Sequence, residues 1–200
     1  MAIESGMEVE LLRPTSGVRC RSLLHVLFGG VLALVVCAYG QSPGGVDEYR
    51  AKAALLFNVC KFVNWPAHAV PDKGRPFVIA VVGNRPMATV LSRELSDKSI
   101  GGRKVVVQGV RRLRDVKGVA VVYCTADQLR AAFRAGRARL AREGVMTVGD
   151  GSECIDNGGV LALGIKDEHL AFEVNIGAAR RAGLEMNANL LRLATRVVDK

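Results

Sequence analysis

Aromatic side chains are scarce in this chain, at 5% with a single tryptophan. That leaves too few flat rings for the stacking platforms that hold single-stranded nucleic acid. Phosphate-binding loops are missing too. There is no GxxxxGK[ST], and no GxGxxG follows the apolar run at 78–82, which excludes the backbone cradles of nucleotide-binding folds. The stretch Gly40-Gln41-Ser42-Pro43-Gly44 has GxSxG spacing but follows the apolar leader rather than a strand, so it is not the strand-to-helix elbow that presents a serine nucleophile. The histidines, His25, His68 and His169, are far apart, and none stands at metal-ligand spacing from another ligand. The five cysteines form no CxxC. Glu173 has no second carboxylate at a spacing that suggests an acid/base pair. These absences point away from an enzyme, and neither a cofactor nor a metal is expected. Beyond Gln41 no apolar run approaches the roughly 20 residues that a spanning helix needs.

What is present begins with the stretch 19–41. Arg19 and Arg21 lead, an apolar run follows from Leu23 to Val36, and the small residues Ala38 and Gly40 stand two apart. That is the order of a secretory signal: charged region, apolar region of roughly 7–15 residues, small-x-small cleavage site. The reading is therefore a signal peptide over 1–40, cleaved near Gly40, and a periplasmic protein. His25 and the pair Gly29-Gly30 weaken an uncleaved membrane anchor, and Val36 before Cys37 makes a poor lipoprotein site.

The net charge is +9, and residues 1–40 hold equal numbers of acids and bases, so the remainder keeps it. About 160 residues suit one ordinary domain. Arg130, Arg134 and Arg137 share one face of a helix, and Arg111, Arg112, Arg114 and Lys117 crowd a loop. These charges form either a solvated face or a surface attracted to anionic headgroups or an acidic protein. DNA is not expected as a partner outside the cytoplasm. Three cysteines remain beyond the leader, Cys60, Cys124 and Cys154. An oxidising compartment permits one disulfide among them, and burial as small apolar residues is the other reading.

After a flexible lead-in at 41–46, the pattern predicts a helix over 47–63, capped by Asp47 and ended by Trp65-Pro66. Its apolar stripe is Tyr49, Ala53, Leu56, Cys60 and Val63, widened by Leu55, Val59 and Phe62, with Arg50, Lys52, Asn58 and Lys61 on the outer surface. Strands are expected at 77–82, 104–108, 119–123 and 145–148, alternating with helices at 86–95 and 126–142. A turn-rich loop at 154–159 precedes a hairpin of 160–165 with 170–174. Helices capped by Asn175 and Asn187 complete the chain at 176–182 and 188–198. The architecture is a single α/β domain over 47–198: a mostly parallel sheet flanked by helices, with an antiparallel hairpin near the C-terminal end.

Two blocks of this sequence resemble the YfiR family of exported bacterial proteins. One runs from Tyr49 through Lys61-Phe62-Val63-Asn64-Trp65-Pro66. The other joins Gly158-Gly159-Val160 to Phe172-Glu173-Val174-Asn175, Ala178, Ala182-Gly183-Leu184 and Leu190-Leu191. The resemblance implies an α/β sandwich that tends to dimerise and a periplasmic regulator without enzymatic activity. It implies a partner in the inner membrane, such as a diguanylate cyclase, whose periplasmic sensor part the protein touches, lowering cyclic di-GMP output. The family's paired cysteines are not obviously preserved here, so redox control is not carried over.

Several residues are candidates for a site. Trp65, with Lys61, Asn64 and Pro66 around it, is either a core plug or an anchor for a partner. Gly83-Asn84-Arg85, at a strand-to-helix junction, is the best place for a small ligand, because open α/β sheets bind at strand carboxyl ends and helix N-termini attract anions. A small-ligand sensor or solute-binding domain is therefore the alternative function. Gly158 and Gly159 read as a tight turn, Phe172 as a core residue and Asn175 as a helix cap.

Overall fold

The computed structural model describes residues 45–70 and 74–200. The proposed signal peptide and most of the lead-in lie outside the described residues. Helix α1 (Gly45–Lys61) opens the described chain. Ala53, Leu56 and Cys60 are fully buried on one stripe. Burying a side chain the size of Leu56 stabilises by about 1.5–3 kcal/mol. Asp47 lies inside the first turn, where it pairs with Arg50 at 3.2 Å and does not cap. The helix stops at Lys61, two residues earlier than the pattern suggests. Strand β1 (Val63–Asn64) there pairs antiparallel with β9 (Glu185–Met186), and a backbone held in a ladder cannot also coil.

Next come β2 (Phe77–Val82), α2 (Arg85–Leu95), β3 (Ser99–Ile100) and β4 (Arg103–Val110). After a 3-10 turn at Leu113–Asp115, the chain forms β5 (Val121–Cys124), α3 (Ala126–Arg142) and β6 (Met146–Asp150). The expected loop at 154–159 contains one helical turn, α4 (Glu153–Asp156). Strands β7 (Leu161–Lys166) and β8 (His169–Asn175) form the hairpin. Helix α5 (Ile176–Arg181) follows, and after β9 comes α6 (Ala188–Leu193). The last helix is shorter than expected. Residues Arg196–Val198 form β10, parallel to β8, where the β-branched Val197 and Val198 suit a ladder.

The large sheet runs β10-β8-β7-β6-β5-β2-β4-β3. Among the described residues of this sheet, only the β7/β8 and β3/β4 pairings are antiparallel. Strand β2 is buried along its whole length, as an interior parallel strand covered on both faces must be. On one face Ile79, Val81 and Tyr123 pack with Leu56 of α1, Met87 and Leu91 of α2 and Ala178 of α5. On the other, Ala80, Val82 and Val122 pack with Leu140 of α3, Ile155 of α4 and Leu113 of the 3-10 turn.

Candidate functional site

The strand carboxyl ends gather the polar features of the molecule. Gly83 leaves β2 with a φ of 71°, a left-handed value that glycine adopts freely. A Cβ at this position would collide with the Gln128 side chain. Asn84 caps α2, its Oδ1 accepting a 2.9 Å hydrogen bond from the Met87 N–H. With Arg85, these residues line a cleft of about 750 Å³ between α2 and β4. Val81, Ala88, Val107 and Gly109 make its apolar floor.

The helix terminus itself has little left to offer an anion. Pro86 has no N–H, and Asn84 already occupies that of Met87. The positive character at the mouth comes instead from the side chains of Arg85, Arg93 and Arg111. Arg93 shares the single carboxylate of Glu94 with Arg50, at 3.3 and 3.4 Å.

The Trp65 region is built differently from a simple anchor. The indole stands edge-on to Phe77, with ring centroids 5.0 Å apart, and its N–H donates to the Cys60 carbonyl at 3.3 Å. Trp65 is thus half-buried and fastened to the core. The exposed ring beside it is Phe62, 47% exposed although the helical stripe assigned it inward. Phe62 escapes because α1 ends one residue before it. Lys61 stands 5.5 Å from the Phe57 ring, and Asn64 donates to Glu185 at 3.4 Å across the small sheet. Pro66 packs beneath Gly144.

Gly158 has a φ of 84°, and a Cβ on Gly159 would strike the Cys154 backbone. Phe172 is buried, and Asn175 caps α5 by accepting from Ala178 N–H at 3.0 Å. Cys60, Cys124 and Cys154 are three free, buried thiols. Cys60 lies in the core on the α1 side of the sheet, and the other two in the opposite core. Arg130 pairs with Glu153 at 3.1 Å, and Arg137 donates to the Asn157 carbonyl, so these arginines tie α3 to the turn after β6. The Arg134 side chain lies outside the described residues.

One cluster escapes the sequence reading. Lys52, assigned to the helix surface, is 5% exposed. Its Nζ lies 2.6 Å from Glu48 and 2.7 Å from Asp150, and the buried Tyr123 hydroxyl donates to the same Asp150 oxygen at 2.5 Å. Burial opposes the charge on Lys52, but the hydrogen bonds to Asp150 and Glu48 outweigh it and hold its pKa above the ordinary lysine value. Burial, then the Asp150 charge, raises that of Tyr123. Lysine, tyrosine and aspartate can move protons in an open site. Here the ammonium and the phenol are both engaged by neighbouring carboxylates, and the cluster fastens α1 to the ends of β5 and β6. An alternative signal was available only in the i,i+4 spacing of Glu48 and Lys52.

A curled, doubly covered α/β sheet carrying a C-terminal hairpin is the class of protein these observations define. A profile of the YfiR/HmsC-like family matches residues 49–195, and the chain belongs to that family. No curated protein matches it. Among solved structures, it is similar to a conserved domain protein from Vibrio cholerae O1 biovar eltor str. N16961. That likeness has a TM-score of 0.51 at 14% identity and covers 74% of this chain and 60% of the other. The ABC domain from Streptococcus pneumonia, in complex with L-Trp, gives a TM-score of 0.46 at 10% identity over 61% of this chain and 55% of the other. This chain therefore spans 60% and 55% of the lengths of those two proteins. At such identity the first likeness concerns the fold alone.

Proposed function

We propose that this chain is a periplasmic regulatory module that restrains an inner-membrane signalling protein of the diguanylate cyclase type by contact, lowering cyclic di-GMP. The observation that carries the reading is the family match across residues 49–195. The sequence order of the leader supports export. Among the described residues, no helix is long and apolar enough to cross a membrane. The polar cluster that most resembles an active site is consumed by its own ion pairs. A binding module of this kind works by differential affinity: it engages one state of the sensor and shifts its population.

Deleting the gene is expected to raise cellular cyclic di-GMP. The full chain should restore the low level, and a version lacking 1–40 should not. Unchanged nucleotide in the deletion strain would sink the reading.

A further inference from the structure

Strand β4 is nearly an edge strand. Strand β3 pairs only with its first two residues, Arg103 and Lys104. The direction of each later backbone group follows from two hydrogen bonds. Val110 gives its carbonyl to Gly83 N–H, on the β2 side, and Val105 N–H points outward to the Lys98 carbonyl. Backbone groups alternate along a strand, so those of Val107 and Gly109 point outward like those of Val105. Among the described residues no strand pairs with them. Their side-chain positions are also in the floor of the 750 Å³ cleft beside α2. Gly109 keeps the groove open there, since a Cβ at this position would stand 3.5 Å from that of Ala88.

An open edge of this sort is a template for another strand, and proteins usually blunt it. The charges around it show which strand fits. Arg85 and Arg111 stand at the cleft mouth and Arg112 follows, all exposed, and no ion pair among the described residues neutralises them. Lys104 is exposed at the other end of the strand. The opposite sheet edge differs: β10 is three residues long, and its surroundings are already paired through Arg196–Asp156 and Arg180–Asp199.

We propose that the free edge of β4 docks an extended, acidic segment of the partner protein as an added strand, with alternate side chains entering the cleft beside α2. Backbone pairing at Val107 and Gly109 supplies attachment, and Arg85 and Arg111 select acidic side chains. A second copy of this chain fits poorly, because both ends of β4 are basic and either strand direction would oppose like charges. The proposal rests on the regulator reading for the identity of the partner, but not for the site itself.

The probe is a synthetic ten-residue peptide alternating valine and glutamate, with a valine–lysine peptide as control, titrated into the exported chain labelled with 15N. The acidic peptide should shift the Val107 and Gly109 amides and slow their hydrogen exchange, and the basic one should leave them unmoved. Val107→Pro removes one outward donor at an edge position, where proline is tolerated, and should abolish the response. Arg85→Glu with Arg111→Glu, both on exposed side chains, should weaken binding at least tenfold, which also guards against a Val107→Pro variant that fails to fold. Binding of both peptides alike, shifts confined to other amides, the same shifts with free glutamate, or a dimer that Val107→Pro dissolves would each overturn the proposal. The two readings fail separately in the deletion strain. If wild type and a folded Val107→Pro variant restore cyclic di-GMP equally, the edge is not the dock and the regulator reading stands. If deletion leaves the nucleotide unchanged while the acidic peptide binds, the regulator reading falls and the edge site stands.

Discussion

Lys52 shows how one charge can be kept inside a helix interface. The ammonium loses its water but gains two carboxylates within 2.7 Å, one a turn away on α1 and one at the end of β6. Glu48 and Asp150 keep some contact with solvent, which moderates the stakes. Replacing Lys52 with alanine leaves Asp150 held by Tyr123 alone and opens a hole under α1. The expected loss is about 2–4 kcal/mol, read as a lower urea midpoint. Asp150→Asn should lose less, and the double variant should lose less than the two single losses combined, by about 1 kcal/mol or more. Strict additivity would show that the network does not act as a unit. Asn84 offers a smaller case. Its Oδ1 satisfies the Met87 N–H, so Asn84→Ala should cost about 1 kcal/mol and Asn84→Asp should retain most of the stability, by the same measurement.

At the level of elements, the turn between β7 and β8 holds Asp167 and Glu168 at φ values of 49° and 62°. A two-residue hairpin turn with both central residues left-handed matches the strand twist. Glutamate is a poor residue for that geometry, and glycine adopts it freely. Glu168→Gly should raise the melting temperature by about 3 °C, taking roughly 1 kcal/mol of relieved strain in a domain of this size. A lower melting temperature would mean the turn is relaxed otherwise. Much of this architecture is legible in the sequence. The runs Phe77–Val82 and Val121–Cys124 are apolar on both faces, and Asn84 and Asn175 stand directly before helices. The pieces that escape share a cause. Strands β1, β9 and β10 are two or three residues long, too short for a period of two to declare itself, and are set by partners far along the chain. Phe62 and Lys52 depart from the helical pattern for related reasons. The first depends on where β1 stops the helix, and the second on Asp150, 98 residues away. The cleft was legible only as a strand-to-helix junction, because its second wall is β4, which no local pattern brings beside α2.

Across the whole molecule, buried titrating groups are distributed over both cores. Cys60 lies on one side of the sheet and Cys124 and Cys154 on the other, with Tyr123 at the strand ends. Burial raises all four pKa values, that of Cys124 from an ordinary value of 9.0 to about 12. A folded state that holds its protons more tightly than the unfolded chain loses stability as pH rises. The sign follows directly. Below about pH 9 both states keep the thiol protons, and the full stability is present. Above it the unfolded chain sheds them while the folded chain retains them, and stability falls as pH climbs towards 12. Lys52 acts in the same direction, because its raised pKa means that its ion pairs are lost only at alkaline pH. The melting temperature should therefore hold steady from pH 7 to 9 and then drop steeply, with the thiols unreactive to a thiol reagent until the drop begins. Cys124→Ala combined with Cys154→Ala should flatten the slope by the share of two protons. A melting temperature unchanged to pH 11, or native thiols that titrate at their ordinary value, would show that these groups are open to water, and that the two cores are less tightly closed than their packing implies.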